Sequence, residues 1–196
     1  MKRVVVVVDT QGDFMRADGA LSVAGADALA GPMTAWLRAL RPDDTAAVVF
    51  TFDTHDPETY PGSAEALQFP PHCYRGTEGW ANMLSPDDVD AAIPTWRLLK
   101  GVFAMWEEPG LALEPLHAAS DAPVDRDGHF AELRAAGVEE AVVIGVAADY
   151  CVRWAVDGLV ERGFRVTVPA ALTRGIARGI DEVVAQDFAG RAVAVG

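Results

Sequence analysis

Compact runs of apolar residues recur along the chain, and they are separated by stretches whose apolar residues follow a helical spacing. The runs show no alternation of apolar and polar positions, and most are rich in valine, which is typical of strands buried on both faces of a sheet. Five strands are therefore predicted, and a weaker sixth follows near the end of the chain. They cover residues 3–8, 46–52, 95–99, 140–146 and 164–168, with the sixth at residues 191–195.

The stretches between the strands predict four helices and a short fifth one. Asp127 is a possible N-cap of the second helix and Gly137 is its C-terminal stop. Ser85 and Pro86 suit the N-cap and the first position of the short helix. Strands that alternate with helices predict a single α/β domain of three layers, α/β/α, with a mostly parallel, doubly wound sheet. The four helices cover residues 26–41, 128–136, 149–162 and 176–188.

Composition narrows the class of protein. The chain has 196 residues, of which 51% are hydrophobic, and this suits one domain over residues 1–196 with a sizeable core. The net charge of −13 argues against nucleic acid and anionic membranes as partners and favours a small molecule. The apolar run at the N-terminus contains only five valines before Asp9, which is too short for a secretory signal or a membrane span. Two cysteines without a CxxC spacing suit a reducing cytoplasm.

Reactive side chains follow the predicted strands at their carboxyl ends, where open parallel sheets bind ligands. Asp9 follows the first strand, Lys100 follows the third, and Cys151 lies in the first turn of the helix after the fourth. Each residue alone has an ordinary explanation: a loop cap for Asp9, a solvated charge for Lys100 and a buried, inert thiol for Cys151. Their joint placement predicts a base, a positioning charge and a nucleophile at one edge of the sheet.

Cys151 is predicted to be an activated nucleophile. The free N–H groups and the dipole of its helix, together with Lys100, favour the thiolate. The charge of Asp9 opposes ionisation, yet Asp9 can accept the thiol proton as substrate arrives. The backbone N–H groups of Ala147 and Cys151 can face a developing oxyanion. The other cysteine, Cys73, lies in a loop with no strand leading into it, and we interpret it as structural.

A loop rich in proline and glycine, residues 53–84, interrupts the alternation of strands and helices. Loops of this length are usually functional or disordered, and its histidines, acids and aromatic residues favour a function. Asp53 and His55 are spaced to face one side of an extended segment, and Glu65 and His72 follow. Two imidazoles and two carboxylates suit one divalent ion, first of all Zn, with Fe or Mn as alternatives, and leave coordination positions open. Asp56 and Glu58 are interpreted as solvated carboxylates. His117 and His129 lie outside the loop and are interpreted as surface or helix-face residues.

These motifs resemble those of the isochorismatase-like cysteine hydrolases, and within that superfamily those of the nicotinamidases. The resemblance rests on DTQGDF (9–14), the turn at residues 19–21, FPPHC with GTEG (69–79), the Lys100-Gly101 pair and GVAADYCV (145–152). It implies a catalytic triad of Asp9, Lys100 and Cys151. It also implies a non-proline cis peptide at Val146–Ala147, which turns the N–H group of Ala147 into the oxyanion hole.

The resemblance further implies a set of metal ligands and a ring pocket. The ligands are Asp53, His55 and His72, and Glu65 takes a fourth position that is histidine in other members. In nicotinamidases the pyridine nitrogen binds this metal, so the ion anchors the ring of the substrate. The side chains expected to wall the ring are Phe14, Leu21 and an aromatic residue, Phe103 or Trp106.

Two departures from the family pattern concern the choice of substrate more than the chemistry. Ala148 precedes Asp149, where nicotinamidases often have threonine. The segment after Lys100 reads GVFAMWEEP, where many members have an acidic, serine-rich stretch that ends in phenylalanine. Because that segment shapes the substrate pocket, its difference bears on substrate identity.

We therefore predict a metal-containing cysteine amidohydrolase of small carboxamides, with nicotinamide as its substrate and a role in NAD metabolism. One alternative is another amide or ureido hydrolase of the superfamily, which would keep Cys151 without needing the metal. A second is a non-catalytic binding protein of the same fold. Vinyl-ether hydrolysis of the isochorismatase type proceeds without a cysteine nucleophile, so Cys151 argues against it. We further expect a cytoplasmic homo-oligomer.

Overall fold

One sheet organises the molecule, and the computed structural model describes it over residues 2–117 and 122–196. Within these residues the sheet has nine strands in the order β5-β4-β3-β2-β1-β6-β7-β9, and β8 pairs with β6. The strands are β1 (Arg3–Val8), β2 (Thr45–Asp53), β3 (Thr95–Lys100), β4 (Ala112–Pro115), β5 (Val124–Asp125), β6 (Glu140–Val146), β7 (Arg165–Val168), β8 (Thr173–Arg174) and β9 (Val193–Val195).

The sheet is parallel except at one edge, which confirms the predicted fold class. Only the β3–β4 and β4–β5 pairs are antiparallel among the described strands. All six predicted strands are confirmed, and their ends differ from the predicted ends by at most two residues. The strands β4, β5 and β8 were not predicted, because each has only two to four residues and none forms a long apolar run.

Helices cover both faces of the sheet. They are α1 (Gly12–Met15), α2 (Ala30–Arg38), α3 (Arg126–Ala135), α4 (Cys151–Glu161) and α5 (Ile180–Asp187). A short 3-10 helix at Pro86–Asp88 begins as predicted, since the hydroxyl of Ser85 accepts the N–H of Asp87. A further 3-10 helix, Asp27–Leu29, precedes α2, and α2 ends at Arg38, so the regular helix is shorter than the predicted 26–41.

The helix α4 begins at Cys151, two residues after the predicted start. Two further helix starts were wrong for identifiable reasons. The N-cap of α3 is Asp125, whose carboxylate accepts the N–H of Gly128 at 2.7 Å, while Asp127 turns to Arg126 and Arg162. The helix α5 begins at Ile180 and not at residue 176. Its expected first turn is absent because the carboxylate of Asp149 accepts the backbone N–H groups of residues 176–178.

The first strand, β1, explains why the apolar runs show no alternation. Val4, Val6 and Val8 join the core under α3, α4 and α5, while Val5 and Val7 join a second core under α2 and the long loop. Both faces of the strand are thus buried from Val4 to Val8, and each of these positions is apolar. Among the described residues, no helix is both long and apolar enough to cross a bilayer.

Candidate active site

Three strand ends bring Asp9, Lys100 and Cys151 together. Asp9 directly follows β1, Lys100 ends β3, and Cys151 begins α4 shortly after β6. The Nζ atom of Lys100 lies 2.8 Å from Oδ2 of Asp9 and 3.6 Å from Sγ of Cys151. All three side chains are buried. The placement predicted from strand order thus corresponds to a contiguous cluster of a carboxylate, an ammonium and a thiol.

Thr51 holds Asp9 in this cluster, a role that no sequence motif indicated. Its hydroxyl donates a hydrogen bond of 2.6 Å to Oδ1 of Asp9. The backbone of Asp9 lies in the left-handed region with φ of 47°, a conformation that is uncommon for a residue other than glycine. With Oδ1 bound by Thr51, Oδ2 of Asp9 faces Lys100.

Lys100 is held as an ammonium. Burial disfavours its charge, but the neighbouring charges of Asp53 and Asp9 outweigh burial and place the pKa of Lys100 well above its ordinary value. A buried cation that keeps its proton can position two carboxylates and stabilise negative charge that develops nearby. It does not serve as a base in this state.

The surroundings of Cys151 favour its thiol over the thiolate, which is the opposite of what the helix N-terminus predicted. Burial and the charge of Asp9 raise the pKa of Cys151 well above its ordinary value, and the opposing effect of Lys100 does not offset them. The helix N-terminus alone could not predict this, because burial depends on the packed structure. A nucleophile in this state needs a proton acceptor at the moment of attack, and Asp9 is the adjacent carboxylate.

The turn before α4 leaves two N–H groups without partners. The peptide bond Val146–Ala147 is cis, as the family resemblance implied. In the described part of the chain, the N–H groups of Ala147 and Cys151 have no hydrogen-bond acceptor, whereas the N–H of Ala148 donates to Arg174 at 2.8 Å. Unpaired N–H groups beside the thiol are suited to bind a developing oxyanion.

A second cluster lies beside the first and consists of Asp53, His55, Glu65 and His72. All four side chains are buried, and they offer ligand atoms that lie within 4.8 Å of one another. Nε2 of His55 lies 3.0 Å from Oδ2 of Asp53 and 2.9 Å from Oε2 of Glu65. Nε2 of His72 lies 3.0 Å from the same Oδ2 atom of Asp53. The four residues predicted as metal ligands therefore converge on one point.

The hydrogen bonds around this cluster fit a cation at that point. Nδ1 of His72 lies 2.8 Å from the carbonyl of Pro70, so the ring proton belongs on Nδ1 and the lone pair of Nε2 faces Asp53. Oε1 of Glu65 is buried and has no hydrogen-bond partner among the described residues. Lone pairs that face each other in a buried site suit a divalent metal.

The electrostatics of His55 agree with this interpretation. Burial disfavours a charged ring, but the hydrogen bonds and charges of Asp53 and Glu65 outweigh burial and raise the pKa of His55 to about 9. Carboxylates that attract a proton to this ring also attract a metal cation, which competes for the same lone pair.

Lys100 joins the two clusters. Its Nζ atom lies 3.2 Å from Oδ1 of Asp53, and Asp53 and Lys100 are neighbours in the register of β2 and β3. Burial raises the pKa of Asp53, but Lys100 and the two histidines outweigh burial and hold it well below its ordinary value. The triad and the metal ligands thus form one continuous network.

A narrow apolar cleft, with a cavity volume of about 20 Å³, opens over both clusters. Asp53, His72, Ala147 and Cys151 reach it from the network described above. The remaining walls are apolar or aromatic and are formed by Phe14, Leu21, Phe69, Phe103, Tyr150 and Ile176.

The cleft contains three of the four predicted wall residues, and Trp106 is the exception. Trp106 does not line the cleft; its indole N–H donates to the carbonyl of Ala155 in α4, so it is turned away into the core. Sequence reasoning missed Phe69, Tyr150 and Ile176. Tyr150 and Phe69 could have been considered, since Tyr150 precedes Cys151 and Phe69 begins the FPPHC motif, but no signal pointed to Ile176.

Two polar residues of the DTQGDF motif brace the long loop. The amide of Gln11 donates to the carbonyl of Asp53 at 2.8 Å and accepts the N–H of Asp53 at 2.7 Å. The carboxylate of Asp13 accepts the N–H of Cys73 at 2.7 Å. Cys73 is fully buried in this loop. These contacts fix the backbone on both sides of the metal ligands.

The residues interpreted as lying outside the site do lie outside it. Asp56 and Glu58 are exposed. Nε2 of His117 lies 2.9 Å from the carbonyl of Pro86. The ring of His129 packs against Trp96 at 5.2 Å between centroids.

Comparison with known proteins identifies relatives that span most or all of the chain. No protein-family model matches. The chain is 32% identical over 179 residues to the nicotinamidase/pyrazinamidase of Mycobacterium tuberculosis, which covers 89% of this chain and 87% of that protein.

Solved structures of similar fold include two with informative ligands. The pyrazinamidase of Pyrococcus horikoshii in complex with zinc superposes with a TM-score of 0.72 at 24% identity, over 100% of this chain and 99% of that one. PnC1 from L. infantum in complex with nicotinate superposes with a TM-score of 0.72 at 22% identity, over 100% of this chain and 92% of that one. At these identities the structural likeness concerns the fold.

Proposed function

Because the chain belongs to the nicotinamidase/pyrazinamidase family, we propose that it is a cysteine amidohydrolase that converts nicotinamide to nicotinate and ammonia. The observation that carries the proposal is the continuous network from Cys151 through Lys100 to the four metal-ligand residues. Cys151, Asp53 and His72 of this network line one cleft, whose remaining walls are apolar or aromatic. A reactive thiol, a ring anchor and apolar walls are the parts that hydrolysis of an aromatic carboxamide requires.

The chain's own residues supply the acylation step. Asp9 takes the thiol proton of Cys151, and the sulfur attacks the amide carbon of the substrate. The N–H groups of Ala147 and Cys151 bind the oxyanion that forms, and the ammonium of Lys100 stabilises the charge nearby. Asp9 then gives its proton to the leaving nitrogen, the C–N bond breaks, and ammonia departs from a thioester on Cys151.

Hydrolysis of the thioester uses the same base. Asp9 takes a proton from a water molecule as the water oxygen attacks the thioester carbon. The C–S bond breaks, the proton returns to the sulfur of Cys151, and the carboxylic acid is released. No step requires a redox partner, and every proton passes through Asp9.

The proposed metal is Zn, held by Asp53, His55, Glu65 and His72. Nitrogen and carboxylate donors without cysteine suit Zn in a site with open positions, and the relative from Pyrococcus horikoshii is described in complex with zinc. When bound, the ion would offer a coordination position to the pyridine nitrogen and so would anchor the ring.

Ammonia release from a panel of carboxamides tests the proposed function. Nicotinamide is expected to be the best substrate of the metal-loaded protein. Release only from aliphatic amides or ureides would support the alternative hydrolase. Absence of release from every amide, with metal bound and Cys151 reduced, would support a non-catalytic binding protein.

We expect His72→Ala to lose the metal. The native protein, purified without chelator, is expected to hold one divalent ion per chain. The variant removes a ligand nitrogen from this buried site. Elemental analysis measures the metal content directly. His117→Ala is the matched control, since His117 lies outside the site and should leave the content unchanged. Full metal content in His72→Ala would contradict the assignment. If Glu65→Ala keeps the metal, Glu65 is not a direct ligand.

The domain organisation, the oligomeric state and the cellular location of the protein are predictions. Residues 1–196 are proposed to form one domain, because both cores share the one sheet. A homo-oligomer in the cytoplasm is the expected state, and analytical ultracentrifugation would measure the oligomer directly.

A further inference from the structure

The segment of residues 101–110, which departs from the family pattern, begins directly after Lys100 and reaches the cleft through one side chain. Phe103 lines the cleft, and its ring packs against Phe69 and Tyr150 at 5.7 Å from each. Phe69 and Tyr150 in turn contact each other at 5.2 Å. The position of this segment therefore decides how closely three aromatic rings approach one another beside Cys151.

Arg126 binds the backbone of the segment. Its side chain is buried, yet its guanidinium donates to three backbone carbonyls of the same segment. Nη1 donates to Met105 and, at 2.9 Å, to Glu108, and Nη2 donates to Trp106 at 3.4 Å. A buried charge is costly unless every donor finds a partner. Here Nη1 and Nη2 donate to one loop, and Nε and Nη2 also donate to the carboxylate of Asp127. An apolar residue of the same size would leave the loop carbonyls unpaired.

Trp106 fastens the segment to α4, the helix that begins at Cys151. Its indole N–H donates to the carbonyl of Ala155 at 3.3 Å. The ring lies directly on Gly158, where an added Cβ would come within 2.2 Å of it. Only glycine at this position lets the indole approach the helix backbone so closely.

Two guanidiniums enclose the same indole ring. Arg162 lies 3.9 Å and Arg126 lies 5.7 Å from the ring centroid. Asp127 bridges the two cations, at 2.9 Å from Arg162 and 2.8 Å from Arg126. We call the set Arg126, Trp106, Asp127, Gly158 and Arg162 the anchor.

The segment is also closed on itself. The carboxylate of Glu108 accepts the N–H of Gly101 at 2.6 Å, so the far end of the segment returns to the residue after Lys100. Because the ends of the segment are also held, a displacement of its centre would move Phe103.

We propose that Arg126 is a positioning residue and that the anchor determines specificity, by holding Phe103 so that the cleft fits a planar aromatic amide. The aromatic class of substrate rests on the proposed function. Among the described residues, no member of the anchor lines the cleft, so its action passes through the segment.

Two variants on different elements disturb the anchor without touching the catalytic groups. Arg126→Met removes the donors and keeps an apolar side chain of similar length. Gly158→Ala forces the indole off α4 through the new Cβ. In both variants the KM for nicotinamide is expected to rise about tenfold, because the ring of the substrate is no longer held in place. The kcat is expected to stay within about twofold, because the reacting groups are unchanged.

Matched controls separate this effect from a general loss of stability. Arg165→Met removes an exposed arginine that pairs only with Glu139 and Glu140. Gly31→Ala adds a Cβ where nothing lies within 4 Å. Both controls should keep the kinetic constants of the native protein. Circular dichroism establishes that the variants compared are folded.

Alkylation of Cys151 gives a second measurement that needs no substrate. With the anchor disturbed, the aromatic rings beside the thiol are held less firmly, and a bulky iodoacetamide derivative is expected to label Cys151 at least about threefold faster. Mass spectrometry of the labelled peptide distinguishes Cys151 from Cys73, which is fully buried.

The two measurements decide the proposal together. Folded variants with an unchanged KM and an unchanged labelling rate would overturn it, and so would a loss confined to kcat. If the native protein fails to hydrolyse nicotinamide, the proposed function fails, and the labelling rates alone then decide whether the anchor positions the cleft.

Discussion

Cys151→Ala is expected to lower amide hydrolysis by at least about 10⁴-fold and to leave the fold intact, because the sulfur is the proposed nucleophile and the other groups have nothing to activate without it. The side chain contributes one buried sulfur to a large core cluster, so its loss leaves only a small cavity. Ammonia release measures turnover. In the native protein, a mass shift of the acyl group trapped on Cys151 by rapid acid quenching would identify the thioester.

Cys73→Ala is the control for this substitution. Cys73 is fully buried, and burial raises the pKa of its thiol, so it is an inert side chain. Its backbone φ of 47° strains alanine and cysteine alike, so the substitution removes only the sulfur. Activity should therefore remain. A Cys151→Ala protein that keeps more than a few per cent of turnover would exclude covalent catalysis by this residue, and inactive but metal-loaded Cys73→Ala would show that the thiols had been assigned wrongly.

Nicotinamide is expected to exceed benzamide in kcat/KM by as much as roughly 10⁴-fold, because a polar site strongly rejects an analogue that lacks the matching group. Benzamide has the ring and the amide but no ring nitrogen. His72 and Asp53 line the cleft together with Cys151, so a ring anchored at the metal ligands presents its amide to the thiol. The comparison of kcat/KM for the two amides measures the contribution of the nitrogen.

Removal of the metal is the control for this comparison. Chelation should erase the difference between the two amides, since both then lack an anchor. Isonicotinamide, which carries its nitrogen at another ring position, should be poor because its amide points elsewhere when the nitrogen is held. Equal kcat/KM values for nicotinamide and benzamide would reject the proposed substrate and would leave the cysteine chemistry open for an aliphatic amide.

The parts of the fold that depend on local sequence were predictable. The strands at the centre of the sheet are continuous apolar runs, and β1 and β6 have the predicted ends. The short antiparallel strands β4 and β5 were not predictable from local sequence, because pairing at the sheet edge gives them their extended form. The start of α5 was missed for a similar reason, since the carboxylate of Asp149 binds the N–H groups that a helix start would have used.

The candidate site also combines features that the sequence predicts with features that depend on packing. Strand order predicted the convergence of Asp9, Lys100 and Cys151, since the carboxyl ends of parallel strands share an edge. The protonation of Cys151 was beyond the sequence, because it depends on burial. The location of Trp106 could not be predicted from the sequence either, because it depends on the absence of a side chain at Gly158, a distant position in the chain. Motifs thus specify which groups meet, and packing specifies their ionisation and the shape of the cleft.

The network through Lys100 also sets the charge balance of the closed site. Asp9, Asp53 and Glu65 are three buried carboxylates, and Lys100 is the ammonium that contacts two of them. When both imidazoles are neutral, as metal ligation requires, the group carries a formal excess of two negative charges, which a buried site tolerates poorly. One divalent cation makes the site electroneutral, whereas a monovalent ion does not. The valence of the ion is therefore selected by the catalytic residues as well as by the ligands, and the two halves of the site act as a single ionic unit.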